Sequence, residues 1–253
     1  MKAISFGNTD PGKRRSNNED AYLVNDALHL YAVADGIGGN EGGEVASRIA
    51  VETFAEAMPD LLGQGDRTPP SGSDPQADPL FSALRQAVFL SNSNILQERT
   101  DNLSLANMGT TLTTLLLKHK QAVLANIGDS RAYLLRDGTF KQLTTDHSLV
   151  AEYVASGLMS SKESKTSEYR HVITRALGIA ETAEADYTEH PLQQDDRLLL
   201  CTDGLTEMVA DAEISKILAG SSPREAVQKL IAAANKAGGV DNVTAVVVWI
   251  TEL

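Results

Sequence analysis

The sequence has one cysteine, Cys201, among 253 residues. A single thiol excludes an intrachain disulfide and every zinc site built on several cysteines. Basic residues are also scarce, with 22 Lys and Arg against 34 Asp and Glu and a formal net charge of −12. Because proteins bind nucleic acid and anionic lipid largely through Lys and Arg, this composition argues against both as partners.

Long apolar runs are absent as well. The stretch at residues 245–250 is far shorter than the ~20 residues that a membrane-spanning helix needs, and residues 1–10 contain no apolar core of a signal peptide. We therefore expect a cytoplasmic protein. With 42% hydrophobic and 22% charged residues, the composition is that of an ordinary globular domain that can bury a core.

Three stretches have the apolar spacing of amphipathic helices. Residues 43–58 carry apolar side chains three and four apart, and Pro59 is expected to end this helix. A second helix is expected over residues 80–95, and the Gly, Pro, Ser and Asp content of residues 63–79 predicts an exposed loop between the two. A third helix is expected over residues 222–236, from a capping box to a Gly-Gly stop.

Short apolar runs between these helices predict β-strands. They lie at residues 22–24, 30–34, 111–117, 122–127, 131–135, 140–143, 197–201 and 244–250. Asp137-Gly138 is typical of a two-residue hairpin turn, and such a turn joins only antiparallel strands. The pattern therefore predicts an α+β fold in which helices cover antiparallel sheets.

Acidic residues recur where the predicted strands begin or end. These residues are Glu19, Asp20, Asp35, Asp129, Asp203 and Asp241. Each one alone is also a common turn former. Brought together, however, the carboxylates would repel one another unless a bound cation neutralised them. Oxygen ligands without paired His or Cys suit Mg²⁺ or Mn²⁺ rather than zinc.

Five ordered motifs around these acids carry a resemblance to a known family. The motifs are Arg15-x-x-Asn18-Glu19-Asp20, Asp35-Gly36-x-Gly38-Gly39, Gly128-Asp129-Ser130-Arg131, Thr202-Asp203-Gly204 and Gly239-x-Asp241-Asn242-x-Thr244. In this order they resemble the metal-dependent PPM/PP2C protein phosphatases, and further segments resemble the bacterial branch. The resemblance implies a single domain over residues 1–253, built as an αββα four-layer sandwich of two antiparallel sheets flanked by helices. It also implies a flap subdomain at about residues 146–179.

The resemblance implies a centre of two Mg²⁺ or Mn²⁺ ions. Asp35 would bridge both ions. Asp203 and Asp241 would complete the ligands of one ion, and Glu19 and the Gly36 carbonyl would bind the other. Such a pair of cations lowers the pKa of a bridging water and neutralises charge on the phosphate during in-line attack by the resulting hydroxide.

Three further roles follow from the same resemblance. Asp20 would orient metal-bound water, Asp129 would hold a third ion together with Asp203, and Arg15 would grip the substrate phosphate. An arginine can give phosphate two parallel hydrogen bonds, which a lysine cannot.

The implied activity is hydrolysis of phosphoserine and phosphothreonine on proteins, opposing a Ser/Thr kinase, by a chain that we expect to be a monomer. The alternative is a phosphopeptide-binding pseudophosphatase that keeps structural metal ions. The net acidic charge would steer basic phosphopeptides toward the protein, in a salt-dependent way.

The sequence departs from the family pattern at one point. Family members carry a histidine after the Asp-Gly motif that is suspected of protonating the leaving group, whereas the corresponding places here hold Ile37 and Asn40. Because asparagine cannot act as an acid, we predict that the chain favours good leaving groups such as aryl phosphates.

Overall fold

The computed structural model describes residues 1–38, 42–63 and 79–253. The strands are β1 (Lys2–Asp10), β2 (Asp20–Asn25), β3 (Leu30–Ile37), β4 (Gly109–Thr110), β5 (Leu112–Lys118), β6 (Gln121–Ile127), β7 (Arg131–Arg136), β8 (Thr139–Gln142), β9 (Asp186–Pro191), β10 (Arg197–Cys201) and β11 (Val243–Glu252). The helices are α1 (Gly42–Gly63), α2 (Pro79–Asp101), α3 (Leu149–Ala155), α4 (Ser161–Ser164), α5 (Asp203–Thr206), α6 (Asp211–Ala219) and α7 (Pro223–Ala237).

The strands form two antiparallel sheets. One sheet has the order β1-β11-β10-β7-β8, and the other has the order β2-β3-β5-β6-β9 with β4 paired to β3. Buried side chains form three clusters: one between the sheets, one under α1 and α2, and one under α6 and α7. The result is the four-layer αββα arrangement.

The continuous apolar runs of the central strands follow from this layering. In β3, Leu30, Ala32 and Ala34 face the cluster under α1 and α2, whereas Tyr31 and Val33 face the cluster between the sheets. Because successive side chains of a strand point to opposite faces, a strand covered on both faces buries nearly every side chain, which favours a continuous apolar run.

Two tight turns show what the sequence pattern detected and what it missed. Asp137 and Gly138 join β7 to β8 with φ of 49° and 77°, as expected for a two-residue hairpin. His119 and Lys120 make a similar turn between β5 and β6, with φ of 51° and 61°. This second turn lacks the Gly or Asn that would have predicted it.

The helix ends confirm one prediction and contradict another. Helix α7 starts at a capping box in which the Ser222 hydroxyl and the Glu225 carboxylate each accept a backbone N–H hydrogen bond. The prediction that Pro59 ends the first helix is wrong, because α1 continues to Gly63. Proline removes one backbone hydrogen bond. The α1 side chains packed in the cluster beneath it, including Met58 and Leu62, offset that loss.

The strands β1, β4 and β9 and the four helices α3 to α6 were not among the predicted elements. The predicted flap at residues 146–179 includes α3 and α4. A bridge between Ser148 and Ile173 closes the segment on itself, and a bridge between Thr110 and Leu177 joins it to β4. Its role stays a prediction. Residues 64–78 of the predicted exposed loop, and Asn40, lie outside the described residues. Within the described ranges, no helix has the length and apolar character needed to cross a membrane.

Candidate metal centre

The fold brings the predicted acidic residues together from several strand ends. Asp20 opens β2 and lies opposite Asp35 of β3. Asp203 begins α5 directly after β10, and Asp241 stands just before β11. Asp129 lies in the turn between β6 and β7. The site therefore combines residues of both sheets.

Asp20 is held in place by hydroxyl groups from the opposite sheet. Its Oδ2 accepts hydrogen bonds from the Thr202 hydroxyl at 2.8 Å and from the Thr244 hydroxyl at 2.6 Å. Its Oδ1 is buried and has no hydrogen-bond partner in the described part of the chain. Burial raises the pKa of Asp20 to about 7, although the two hydroxyls act in the opposite direction.

Asp35 occupies the electrostatic centre of the site. Its backbone N–H donates to the Thr111 hydroxyl at 2.9 Å, which fixes the end of β3. Burial raises the pKa of its carboxyl well above the ordinary value of 3.8. Four neighbouring carboxylates add to that shift: Asp20, Asp203, Asp129 and Asp241. Asp35 therefore lies within electrostatic range of every other predicted aspartate.

Asp129 and Asp203 are partly buried acids with like-charged neighbours. Burial raises the pKa of Asp129 to about 7, and the carboxylates of Asp203 and Asp146 add to the effect. Burial raises the pKa of Asp203 to about 6, with Glu207 and Asp241 contributing. Carboxylates that share such a site favour either a shared proton or a bound cation.

Glu19 and Gly36 form a tightly packed corner of the site. The Gly36 N–H donates to the Glu19 carbonyl at 3.1 Å, and a Cβ on Gly36 would lie 2.1 Å from the Gly43 carbonyl oxygen. Only glycine therefore fits at position 36. Burial raises the pKa of Glu19, whereas the positive charge of Arg15 lowers it.

Arg15 lies at the exposed rim. Its guanidinium donates to Asp241 Oδ2 at 2.7 Å, and about half of its side chain is exposed. From this position the guanidinium can reach both the carboxylate cluster and a ligand that arrives from solvent.

Three residues with supporting roles were quoted in the motifs but were assigned no function. Thr202 and Thr244 anchor Asp20, and the Asn242 side chain links its own loop before β11 to the loop between β1 and β2. Its Oδ1 accepts from the Glu19 N–H at 2.7 Å, and its amide donates to the carbonyls of Pro11 and Asn17. The position of Thr202, Asn242 and Thr244 inside the quoted motifs was the one feature of the sequence that could have indicated these roles.

A second group of potential ligands was not predicted. His171, Asp203 and Glu207 place one ligand atom each within 4.8 Å of one another. His171 Nδ1 lies 2.9 Å from Glu207 Oε1. No short motif of the sequence pairs His171 with these acids, because His171 approaches Asp203 only through the tertiary fold. This pair extends the site toward the predicted flap.

The residues present fit hard divalent cations. Carboxylate oxygens dominate the donor set, as Mg²⁺ and Mn²⁺ prefer. Like Asp20 Oδ1, Asp203 Oδ1 is buried without a hydrogen-bond partner among the residues described. Buried polar atoms are normally paired, so two orphaned oxygens in one cluster indicate a ligand.

Comparison with known proteins agrees with this arrangement. A family model described as protein phosphatase 2C matches residues 12–242. The chain belongs to the protein phosphatase 2C family. The serine/threonine phosphatase stp of Listeria welshimeri is 36% identical to this PP2C chain over 244 residues, which cover 95% of the chain and 93% of that protein.

Solved structures give the same result. The serine/threonine phosphatase PstP/Ppp of Mycobacterium tuberculosis matches the PP2C chain with a TM-score of 0.88 and 35% identity, covering 100% of both chains. The catalytic domain of PstP in complex with two manganese ions matches with a TM-score of 0.81 and 35% identity, covering 99% of each chain. The predicted family and sandwich fold are confirmed.

Proposed function

We propose that the chain is a metal-dependent phosphatase that hydrolyses phosphoserine and phosphothreonine on proteins. The observation that carries the proposal is the convergence around Asp35 of buried and partly buried carboxylates from separate strand ends, with Arg15 at the rim. The serine/threonine phosphatases among the relatives favour this function over the phosphopeptide-binding alternative.

Asp35, Asp203 and Asp241 would hold one Mg²⁺ or Mn²⁺ ion, and Asp35, Glu19 and the Gly36 carbonyl would hold the second. When bound, the ions supply a nucleophile from water at neutral pH and neutralise charge on the phosphate. A third ion would lie between Asp129 and Asp203. The burial and mutual repulsion of these acids support the assignments, because a cation relieves both.

The chain's own residues position the reactants. Asp20 is locked by the Thr202 and Thr244 hydroxyls, so its second oxygen is free to accept a hydrogen bond from water at a fixed position. Arg15 would donate two hydrogen bonds to the phosphate and so align it for in-line attack.

The proposed substrates are phosphoproteins made by a Ser/Thr kinase. A monomeric state and a cytoplasmic location belong to the same proposal, and the absence of nucleic-acid and membrane partners rests on the net charge of −12.

The test is hydrolysis of p-nitrophenyl phosphate and of a phosphothreonine peptide, with added Mn²⁺ or Mg²⁺ and after treatment with EDTA. Turnover that depends on the metal is expected. Asp35→Asn should lower kcat/KM by about 100-fold or more, since it removes a shared ligand charge. Asp137→Asn is the matched control, because Asn suits the hairpin turn at that exposed position.

Two outcomes would contradict the proposal. Binding of the phosphopeptide without turnover at any Mn²⁺ or Mg²⁺ concentration would identify a pseudophosphatase. Turnover that is unaffected by EDTA or by Asp35→Asn would remove the metal centre from the reaction.

A further inference from the structure

Three consecutive cations, Lys13, Arg14 and Arg15, border the candidate metal centre of a chain that is otherwise strongly acidic. All three are exposed. Arg15 is engaged by Asp241, as described above. Among residues 1–38, 42–63 and 79–253, no carboxylate forms an ion pair with Lys13 or Arg14. These two charges are therefore available to a ligand.

The backbone holds Lys13 and Arg14 beside the site. The N–H groups of Lys13 and Arg14 donate to the Gly239 carbonyl at 2.7 and 3.2 Å, two residues before Asp241. Gly12 has φ of 77°, and a Cβ there would lie 2.3 Å from the Asp241 carbonyl oxygen. The turn is thus packed against the backbone of a proposed metal ligand, so the backbone of Lys13 and Arg14 is held beside the rim.

The nearest acid in the sequence does not neutralise this turn by an ion pair. Asp10 Oδ1 accepts hydrogen bonds from the Gly12 N–H at 2.9 Å and from the Asn235 side chain at 3.0 Å. Its carboxylate therefore braces the turn.

We propose that Lys13 and Arg14 form a docking surface for acidic residues next to the phosphorylated serine or threonine of a substrate protein. The proposal rests on the proposed function and adds a substrate class to it. A phosphate held by Arg15 brings the neighbouring residues of its peptide alongside the same turn. Acidic side chains there meet two unpaired cations, whereas basic side chains are repelled.

This local preference is opposite to the one that the net charge predicts. A charge of −12 attracts basic peptides at long range. Beyond a Debye length of about 8 Å at physiological ionic strength, however, that attraction is largely screened. At contact, the two cations at the rim decide which flanking residues are favoured.

The test uses two phosphoserine peptides that differ only in their flanking residues, Asp and Glu in one, Lys and Arg in the other. The readout is the ratio of kcat/KM for the acidic peptide to that for the basic peptide. The wild-type ratio should exceed one, and the double variant Lys13→Glu/Arg14→Glu should lower it by about tenfold at low salt. Added salt should reduce the difference.

Two variants serve as controls. Lys141→Glu/Lys216→Glu changes the net charge equally at exposed positions away from the site, and should leave the ratio within about twofold of the wild type. Lys13→Arg/Arg14→Lys keeps both charges and should keep the ratio.

The results separate this inference from the function on which it rests. A wild-type preference for the basic peptide, or an equal loss on both peptides in the Glu variant, would overturn the docking surface while metal-dependent turnover remained. Absence of Mn²⁺-dependent hydrolysis of both peptides and of p-nitrophenyl phosphate would overturn the proposed function, and the docking surface with it.

Discussion

Asp20 and Asp35 lie opposite each other on paired strands, yet their surroundings differ. Asp20 receives two hydroxyl hydrogen bonds, which partly offset the effect of burial on its pKa. The pKa of Asp35 is raised by burial and by four carboxylates. The difference fits one residue that orients water and one that binds cations, because a fixed carboxylate with one free oxygen is a good acceptor.

The hydroxyl of Thr244 is expected to act on catalysis through Asp20. Thr244→Val keeps the shape of the side chain but removes the hydrogen bond to Asp20 Oδ2. We expect kcat to fall by about tenfold with little change in KM, since positioning is lost and substrate contacts are kept. Steady-state kinetics with p-nitrophenyl phosphate would measure this.

Thr251→Val is the control for that prediction, because the Thr251 hydroxyl contacts only the Lys2 carbonyl in the described structure. It should leave kcat unchanged. An unchanged kcat in Thr244→Val would remove Asp20 positioning from the mechanism.

At the scale of elements, local signals were readable where neighbours in sequence form the contact. The α7 capping box and the Asp137-Gly138 turn are of this kind, since each is complete within four residues. The continuation of α1 past Pro59 could not be predicted from neighbouring residues, because it depends on packing against strands that are distant in the sequence.

Two capping boxes with different burial allow a direct test. Ser222 caps α7, which buries six residues, whereas Ser160 caps α4, which buries none. Ser222→Ala should lower the free energy of unfolding by about 1 kcal/mol. Ser160→Ala should change it by less than about 0.5 kcal/mol, because fraying of an exposed helix does not disturb the core. Urea denaturation would measure both, and equal effects would contradict the argument.

For the whole molecule, the acids of the site link stability to pH and to metal. Asp20, Asp129 and Asp203 have an ordinary pKa of 3.8, which the fold raises to about 7, about 7 and about 6. At pH values between the ordinary pKa and the raised pKa of these groups, the folded state binds more protons than the unfolded state. The free energy of unfolding of the metal-free protein should therefore fall as pH rises from about 4 to about 7.

Divalent cations should reverse this loss. Mn²⁺ competes with protons for the carboxylates, so the rise in Tm caused by Mn²⁺ should grow between about pH 5 and about pH 8. Thermal denaturation of EDTA-treated protein, with and without Mn²⁺, would measure the gain. A gain independent of pH would contradict the linkage, and Asp35→Asn should reduce it at every pH.

The order of the acidic residues, the motifs that resemble the family, the capped helix and most strands could be predicted, because they depend on residue type and local spacing. The folded chain was needed to show that Thr202 and Thr244 anchor Asp20, that His171 approaches Asp203, and that the backbone of Lys13 and Arg14 is bonded to Gly239. The Asp20 contacts join residues 182 and 224 positions apart. Burial and contacts at such separations arise only when the two sheets pack, so no local pattern could specify them.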